Sequence, residues 1–285
     1  MRILRIAAPF LVLLASCTER RSGETVDDLG RRVALPQQVS RVITLAPALT
    51  EIVHAIGSEA LLAGTDDYSD FPPQAAALPK VGGMEPSRER IAQLDPDLVL
   101  ASTSAMHPQL AVALESMDIA LYAVRTDRLH EVAPAISRIG EILGSPRAND
   151  VRVEFERRME AERRTRSSKP RVLFVIFPDP LYVAVPETHL GDLLALTGVV
   201  NVAAAGNQRS LYSREAVVAN PPDMIFYPGR TAPPDALVTL LNARREGRPV
   251  TAHSVDEDLF MRPGPRLPEA AAAINRIVDE WERMR

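Results

Sequence analysis

Cysteine is nearly absent: Cys17 is the only one in 285 residues, so no disulfide can form within the chain. Tryptophan is as scarce, with Trp281 alone near the C-terminus, and aromatic residues make up only 5%. The five histidines (His54, His107, His130, His189 and His253) stand singly, without ligand-like spacing, so no metal site is expected. The sequence has no G-x-S-x-G, no H-E-x-x-H, no P-loop and no G-x-G-x-x-G, and no cofactor is expected. A triad assembled from distant residues would leave no such signature, so an exported α/β hydrolase stays as the competing class. Basic excess is also missing: the formal charge of −4 argues against nucleic acid as a partner. The apolar run at 6–14 is too short to span a bilayer.

What is present describes an ordinary globular protein, 46% hydrophobic and 25% charged, long enough for two lobes with their own cores. At the N-terminus, Arg2 and Arg5 precede the apolar run, so 1–17 reads as a signal peptide. It ends in Leu14-Ala15-Ser16-Cys17, which resembles the lipobox of bacterial lipoproteins. That resemblance implies export, cleavage and a lipid on Cys17, which would hold the protein at a membrane surface by acyl chains. Residues 18–40 follow as a polar tether and a short hairpin, with Val26 and Val33 as strand residues around an Asp28-Leu29-Gly30 turn.

The most charged stretch, 145–166, reads SPRANDVRVEFERRMEAERRTR. Ser145 is a candidate N-cap, Pro146 suits the first helical position, and no glycine or proline follows until Pro170. A helix over 149–166 would be about 27 Å long. The segments flanking it match each other. SRERIAQLDPDLVL (87–100) aligns with SREAVVANPPDMIF (213–226) at constant offset. Each gives a Ser N-cap, a first-turn Glu, a Pro that ends the helix and then a buried strand. RVITLAP (41–47) likewise parallels RVLFVIF (171–177), and LTEIVHAIG (49–57) parallels HLGDLLALTG (189–198). Strand and helix alternate, so the expected fold is α/β, with two similar lobes of mostly parallel sheet at 41–144 and 170–285, joined by a single long helix in 145–169. Long loops on such a scaffold usually serve function: 65–86 carries Tyr68 and Phe71, 178–188 carries Tyr182, 198–212 leads into the second SRE segment, and 256–268 carries Phe260, Arg262 and Arg266.

Taken together, RVITLAPALTEIVHAIG, YSDFPPQA, the two SRE segments and FMRPGPR resemble the substrate-binding proteins of ABC importers for cobalamin and iron chelates. The YSDFPPQA stretch is most similar to vitamin B12-binding members. The resemblance implies a ligand cleft between the lobes and a binding protein, not an enzyme. It also implies a monomer that delivers a small metal chelate to an ABC permease in the inner membrane. By position it makes Glu89 and Glu215 the acids that dock onto permease arginines, and Tyr68, Tyr182, Phe260 and Arg262 cleft contacts. One departure stands out. The tryptophans that flank the corrin in B12-binding members have no counterpart, with Gly82 or Gly83 at one place and Arg209 at the other. Arg209 with Tyr212 would suit an anionic iron chelate or a haem propionate. A scaffold or signalling lipoprotein that has lost its ligand is a third reading.

Overall fold

A computed structural model describes residues 21–106, 108–204 and 210–284. It opens with an antiparallel hairpin, β1 (Arg21–Val26) and β2 (Arg32–Pro36). Val33 is buried but Val26 is not. The buried Asp27 fixes the turn, accepting from the backbone N–H groups of Leu29 (3.0 Å) and Arg31 (2.9 Å).

The first lobe comprises β3 (Val42–Thr44), α1 (Pro47–Ala55), β4 (Leu62–Thr65), α2 (Pro73–Ala76), α3 (Arg88–Gln93), β5 (Leu98–Ser102), α4 (Pro108–Glu115), β6 (Ala120–Val124) and α5 (Leu129–Leu143). Then α6 (Ala148–Ala161) leads to the second lobe. That lobe has β7 (Arg171–Pro178), β8 (Leu181–Val183), α7 (His189–Leu196), β9 (Val200–Asn201), α8 (Arg214–Ala219), β10 (Met224–Pro228), α9 (Asp235–Asn242), β11 (Thr251–Val255), α10 (Glu257–Phe260) and α11 (Leu267–Arg283). No described helix is long and apolar enough to cross a membrane.

The lobes have separate sheets with the same winding. In the first, the parallel order is β4-β3-β5-β6; in the second, β9 pairs β7, followed by β10 and β11. Counting the parallel strands alone, both orders are 2-1-3-4; the second sheet adds β8 antiparallel to β7. The aligned Pro-Asp pairs do the same work twice. Asp97 accepts from the backbone of Ser40 (2.8 Å) and Arg41 (2.9 Å), and Asp223 from that of Arg171 (3.0 Å). Each carboxylate lashes the start of its lobe's first strand to its third. Ser87 and Ser213 both cap, accepting from Arg90 N (3.3 Å) and Ala216 N (3.0 Å).

Strand alternation divides the core. Ile43, Val99 and Leu121 face an outer layer with Ile91 and Leu114, and Leu173, Val175 and Ile225 face another with Val217 and Leu241. The opposite faces, including Val42, Leu98, Val172, Phe174 and Met224, share one cluster that also takes in Ile52, Ile139, Phe155, Leu193 and Val278. Helices from both lobes and α6 therefore form one continuous layer.

The connecting helix is α6, which has 14 residues and spans about 21 Å, shorter than the helix expected over 149–166, and it packs against α5 and α11. Ser145 does not cap it. Its hydroxyl donates to Ile56 O at 2.6 Å, tying the α5–α6 junction to the end of α1. Past the helix, Arg166 is buried and bonded to Asp279 (2.5 Å), Glu282 (2.7 Å) and Asn275 (2.9 Å) of α11. The α5–α6 seam is unusually tight, because a Cβ on Gly140 would lie 2.0 Å from Ala148 Cβ. Ordinarily Gly→Ala inside a helix gains up to ~1 kcal/mol. Here overlap with a fixed neighbour wins, and Gly140→Ala should cost ~1–3 kcal/mol, measurable as a lowered denaturation midpoint.

Candidate functional site

Ligands of open α/β sheets bind beyond the carboxyl ends of the strands. In the first lobe, the loop that follows β4 lies there, and a buried polar chain sets its shape. Thr44 Oγ1 meets Thr50 Oγ1 at 2.6 Å, Thr50 Oγ1 meets Ser69 Oγ at 2.7 Å, and Ser69 donates to Asp66. Burial pushes the Asp66 carboxyl above the usual range, opposed by its bonds to Ser69 and Tyr68 N. Lys80 Nζ staples the same loop, donating to Thr65 Oγ1 (2.9 Å), Ala75 O (3.2 Å) and Ser69 O. Lys80→Met leaves those acceptors without their donor. It should cost ~1–3 kcal/mol and speed hydrogen exchange across 66–80, while distant strands keep their protection.

On this loop Tyr68 is 54% exposed, and its backbone carbonyl accepts from Arg262 of the second lobe. A Cβ on Gly83 would come within 2.9 Å of the Tyr68 hydroxyl. The Tyr68 ring therefore covers Gly83, one of the two glycines, Gly82 or Gly83, expected to stand in place of a tryptophan.

Two polar clasps cross between the lobes. In one, Arg128 at the start of α5 grips Asp192 of α7 with bonds of 2.8 and 2.5 Å, and Asp192 also accepts from Leu129 N at 3.0 Å. In the other, Arg262 and Arg266, beyond α10, reach the first lobe. Arg266 binds Glu51 of α1 through two bonds of 2.8 and 2.5 Å and lies 3.8 Å over the Phe71 ring. Arg262 is only 9% exposed. It pairs with Asp70 at 2.7 Å, Asp258 at 2.7 Å and Glu51 at 3.6 Å, and donates to Tyr68 O at 3.2 Å. Desolvation pushes the Glu51 carboxyl up, against the pull of both arginines. The Arg262 bond holds Asp70 below the usual range.

The expected contact residues separate into three groups. Tyr68 and Tyr182 (40% exposed) present open faces, and Tyr182 stands on strand β8 instead of a loop. Arg262 joins the lobes. Phe260 and Tyr212 are corrections. Phe260 has no exposed surface; its ring stacks on Phe174 with centroids 5.6 Å apart, because α10 turns it into the shared core. Tyr212 is buried with its hydroxyl toward Val202 O at 3.5 Å, so it offers no hydroxyl to a propionate. Arg209 and Cys17 lie outside the described residues. One aromatic was missed. Phe177 is 50% exposed and pairs with Tyr182 across β7 and β8, where a register shift frees the end of β7 from the core. It had looked like the last residue of a buried apolar run.

Glu89 and Glu215 are both exposed, in the first turns of the matched helices α3 and α8. Backbone N–H contact, and then the Ser87 hydroxyl, hold the Glu89 carboxyl below the usual range. Among the described residues no cluster of histidine, cysteine or carboxylate groups could hold a metal ion.

Two wound lobes over a shared helical layer, joined by charged clasps across their facing edges, define a two-lobe binding protein. Residues 42–244 match the periplasmic binding protein family, and the chain belongs to that family. It is 26% identical over 263 residues to an uncharacterized ABC transporter substrate-binding lipoprotein, YvrC, of Bacillus subtilis, covering 86% of this chain and 82% of that one. It is 28% identical over 248 residues to a vitamin B12-binding protein of Pectobacterium carotovorum, covering 85% and 88%. Among solved structures, the apo periplasmic heme-binding protein RhuT of Roseiflexus superposes with a TM-score of 0.73 at 25% identity, covering 83% and 96%.

Proposed function

We propose that this protein captures a corrinoid outside the cytoplasm and hands it to an ABC importer. The observation that carries this reading is that each lobe exposes a tyrosine, Tyr68 and Tyr182, in a chain that resembles a vitamin B12-binding relative over most of its length. Aromatic faces suit a flat, bulky macrocycle. A ferric siderophore or haem is the second reading, favoured by the similarity to a heme-binding neighbour. The two clasps and the shared helical layer limit the hinge, so closure on a ligand is a small movement. The loaded protein then offers Glu89 and Glu215 to the permease, where charge pairing sets the register of the encounter. Lipid on Cys17 would keep the protein, as a monomer, close to that partner; the name of the Bacillus subtilis relative agrees with such an anchor.

Thermal melting of the mature protein against cyanocobalamin, cobinamide, hemin and ferric siderophores tests the reading. A ligand at about 100 times its Kd adds about 2.7 kcal/mol, and a corrinoid should give the largest shift. A shift with hemin alone would move the assignment to haem. Catalytic turnover by the purified protein would return it to the hydrolase class.

A further inference from the structure

The charges at the cleft edge limit what chelate it can accept, an inference that rests on the chelate-binding reading above. Arg262 donates to the Tyr68 carbonyl at 3.2 Å, but it is not free. Asp70 and Asp258 each hold it at 2.7 Å, and Glu51 stands at 3.6 Å. Arg266 is taken by Glu51, and Arg230 pairs with Asp258 and with Glu257 at 3.4 Å. The cluster therefore sets three guanidinium groups against four carboxylates, one negative charge in excess. Its exposure is uneven. Glu51 and Arg262 are buried, whereas Asp70 from the first lobe is half-exposed.

An incoming carboxylate gains nothing from Arg262 unless it displaces Asp70 or Asp258. A displaced Asp258 would keep Arg230, but Asp70 would stay beside the newcomer with no other ion-pair partner among the described residues. A neutral amide fares differently. Its N–H can donate to the outer oxygen of Asp70 while the ion pair stays whole. Arg230, the exposed member, could turn toward an anion, but that would strip Asp258 and Glu257 of a partner.

The geometry points to a cleft selective for metal chelates whose rim is fringed with amides, not carboxylates, where they meet Asp70 and Arg262. Rejection of an acidic rim comes from the like charge of Asp70, so Asp70 is a specificity residue. The test compares three probes by calorimetry: cyanocobalamin, the same corrinoid with one peripheral propionamide hydrolysed to the acid (each positional isomer separately), and hemin. The wild type should bind the amide form at least about tenfold tighter than one or more of the acids, and hemin more weakly still. Asp70→Asn, a change at a half-exposed loop position that folding tolerates, should shrink the amide-to-acid ratio several-fold. Raising the salt concentration should also shrink the wild-type ratio, since the repulsion is partly screened.

If every acid or hemin binds the wild type as well as the amide form does, the inference is overturned, although chelate binding stands. A wild-type preference that Asp70→Asn leaves unmoved overturns it too, because the selectivity then lies elsewhere. If none of the three probes and no ferric siderophore binds, the chelate reading itself fails and takes the selectivity with it.

Discussion

Uptake of the chelate should fall to background when Glu89 and Glu215 are both reversed to lysine, while affinity for the chelate stays at the wild-type value. Both side chains are exposed on the first turns of matched helices, and neither belongs to the polar clasps. As solvent-exposed first-turn acids they add little to helix stability, so the fold should survive reversal. A permease arginine would instead meet a lysine at each end of the docking face, and like-charge juxtaposition costs several kcal/mol. Single reversals should leave partial uptake, since the remaining acid still fixes one end. The readout is transport in cells that depend on the importer, set beside calorimetry on the purified variant. Weakened chelate binding in the double variant would place these acids in the binding site and remove the docking role.

The second large effect is on stability. Arg266→Ala should destabilise the protein by ~3–5 kcal/mol, because it leaves the buried Glu51 carboxylate without the partner that binds it twice. Arg262, at 3.6 Å, compensates only in part. The loss has a pH signature. Burial already raises the Glu51 pKa above its ordinary 4.5, and removal of Arg266 raises it further. A group raised in the folded state supports the fold fully below its unfolded value, and that support is lost as pH rises through the folded value. The deficit of Arg266→Ala should therefore be largest near neutrality and shrink as pH falls toward 4.5. Denaturation midpoints at a series of pH values check this; a deficit that grows in acid would contradict the assignment. Glu51→Gln in the Arg266→Ala background should recover much of the loss, since an amide costs far less to bury unpaired than a carboxylate.

The architecture was legible because the sequence states it twice. Ser87 and Ser213 at the caps, Asp97 and Asp223 before the strands and the apolar runs between them recur at one offset, and both sheets wind in one order. Local chemistry of this sort acts within a few residues, so it survives without knowledge of the rest. The site was only partly legible. An aromatic on a loop reads alike whether it faces a ligand or a core, and only the turn of α10 shows that Phe260 stacks on Phe174. Phe177 has the opposite history: an apparent core residue is freed by a register shift between β7 and β8. Ser145 looked like a cap because Pro146 follows it, yet its hydroxyl goes to Ile56 O, 89 residues back. The clasp between Glu51 and Arg266 joins positions 215 residues apart, and no periodicity links them.

The most direct test is calorimetric titration of the mature protein with cyanocobalamin, beside the Tyr68→Ala/Tyr182→Ala variant. Saturable binding of one corrinoid per chain, weakened about a hundredfold or more when both aromatic faces are removed, is the expected result. Equal affinity in the two proteins would mean that the chelate does not sit between the lobes, and absence of heat with cyanocobalamin, hemin and ferric siderophores alike would contradict the account as a whole.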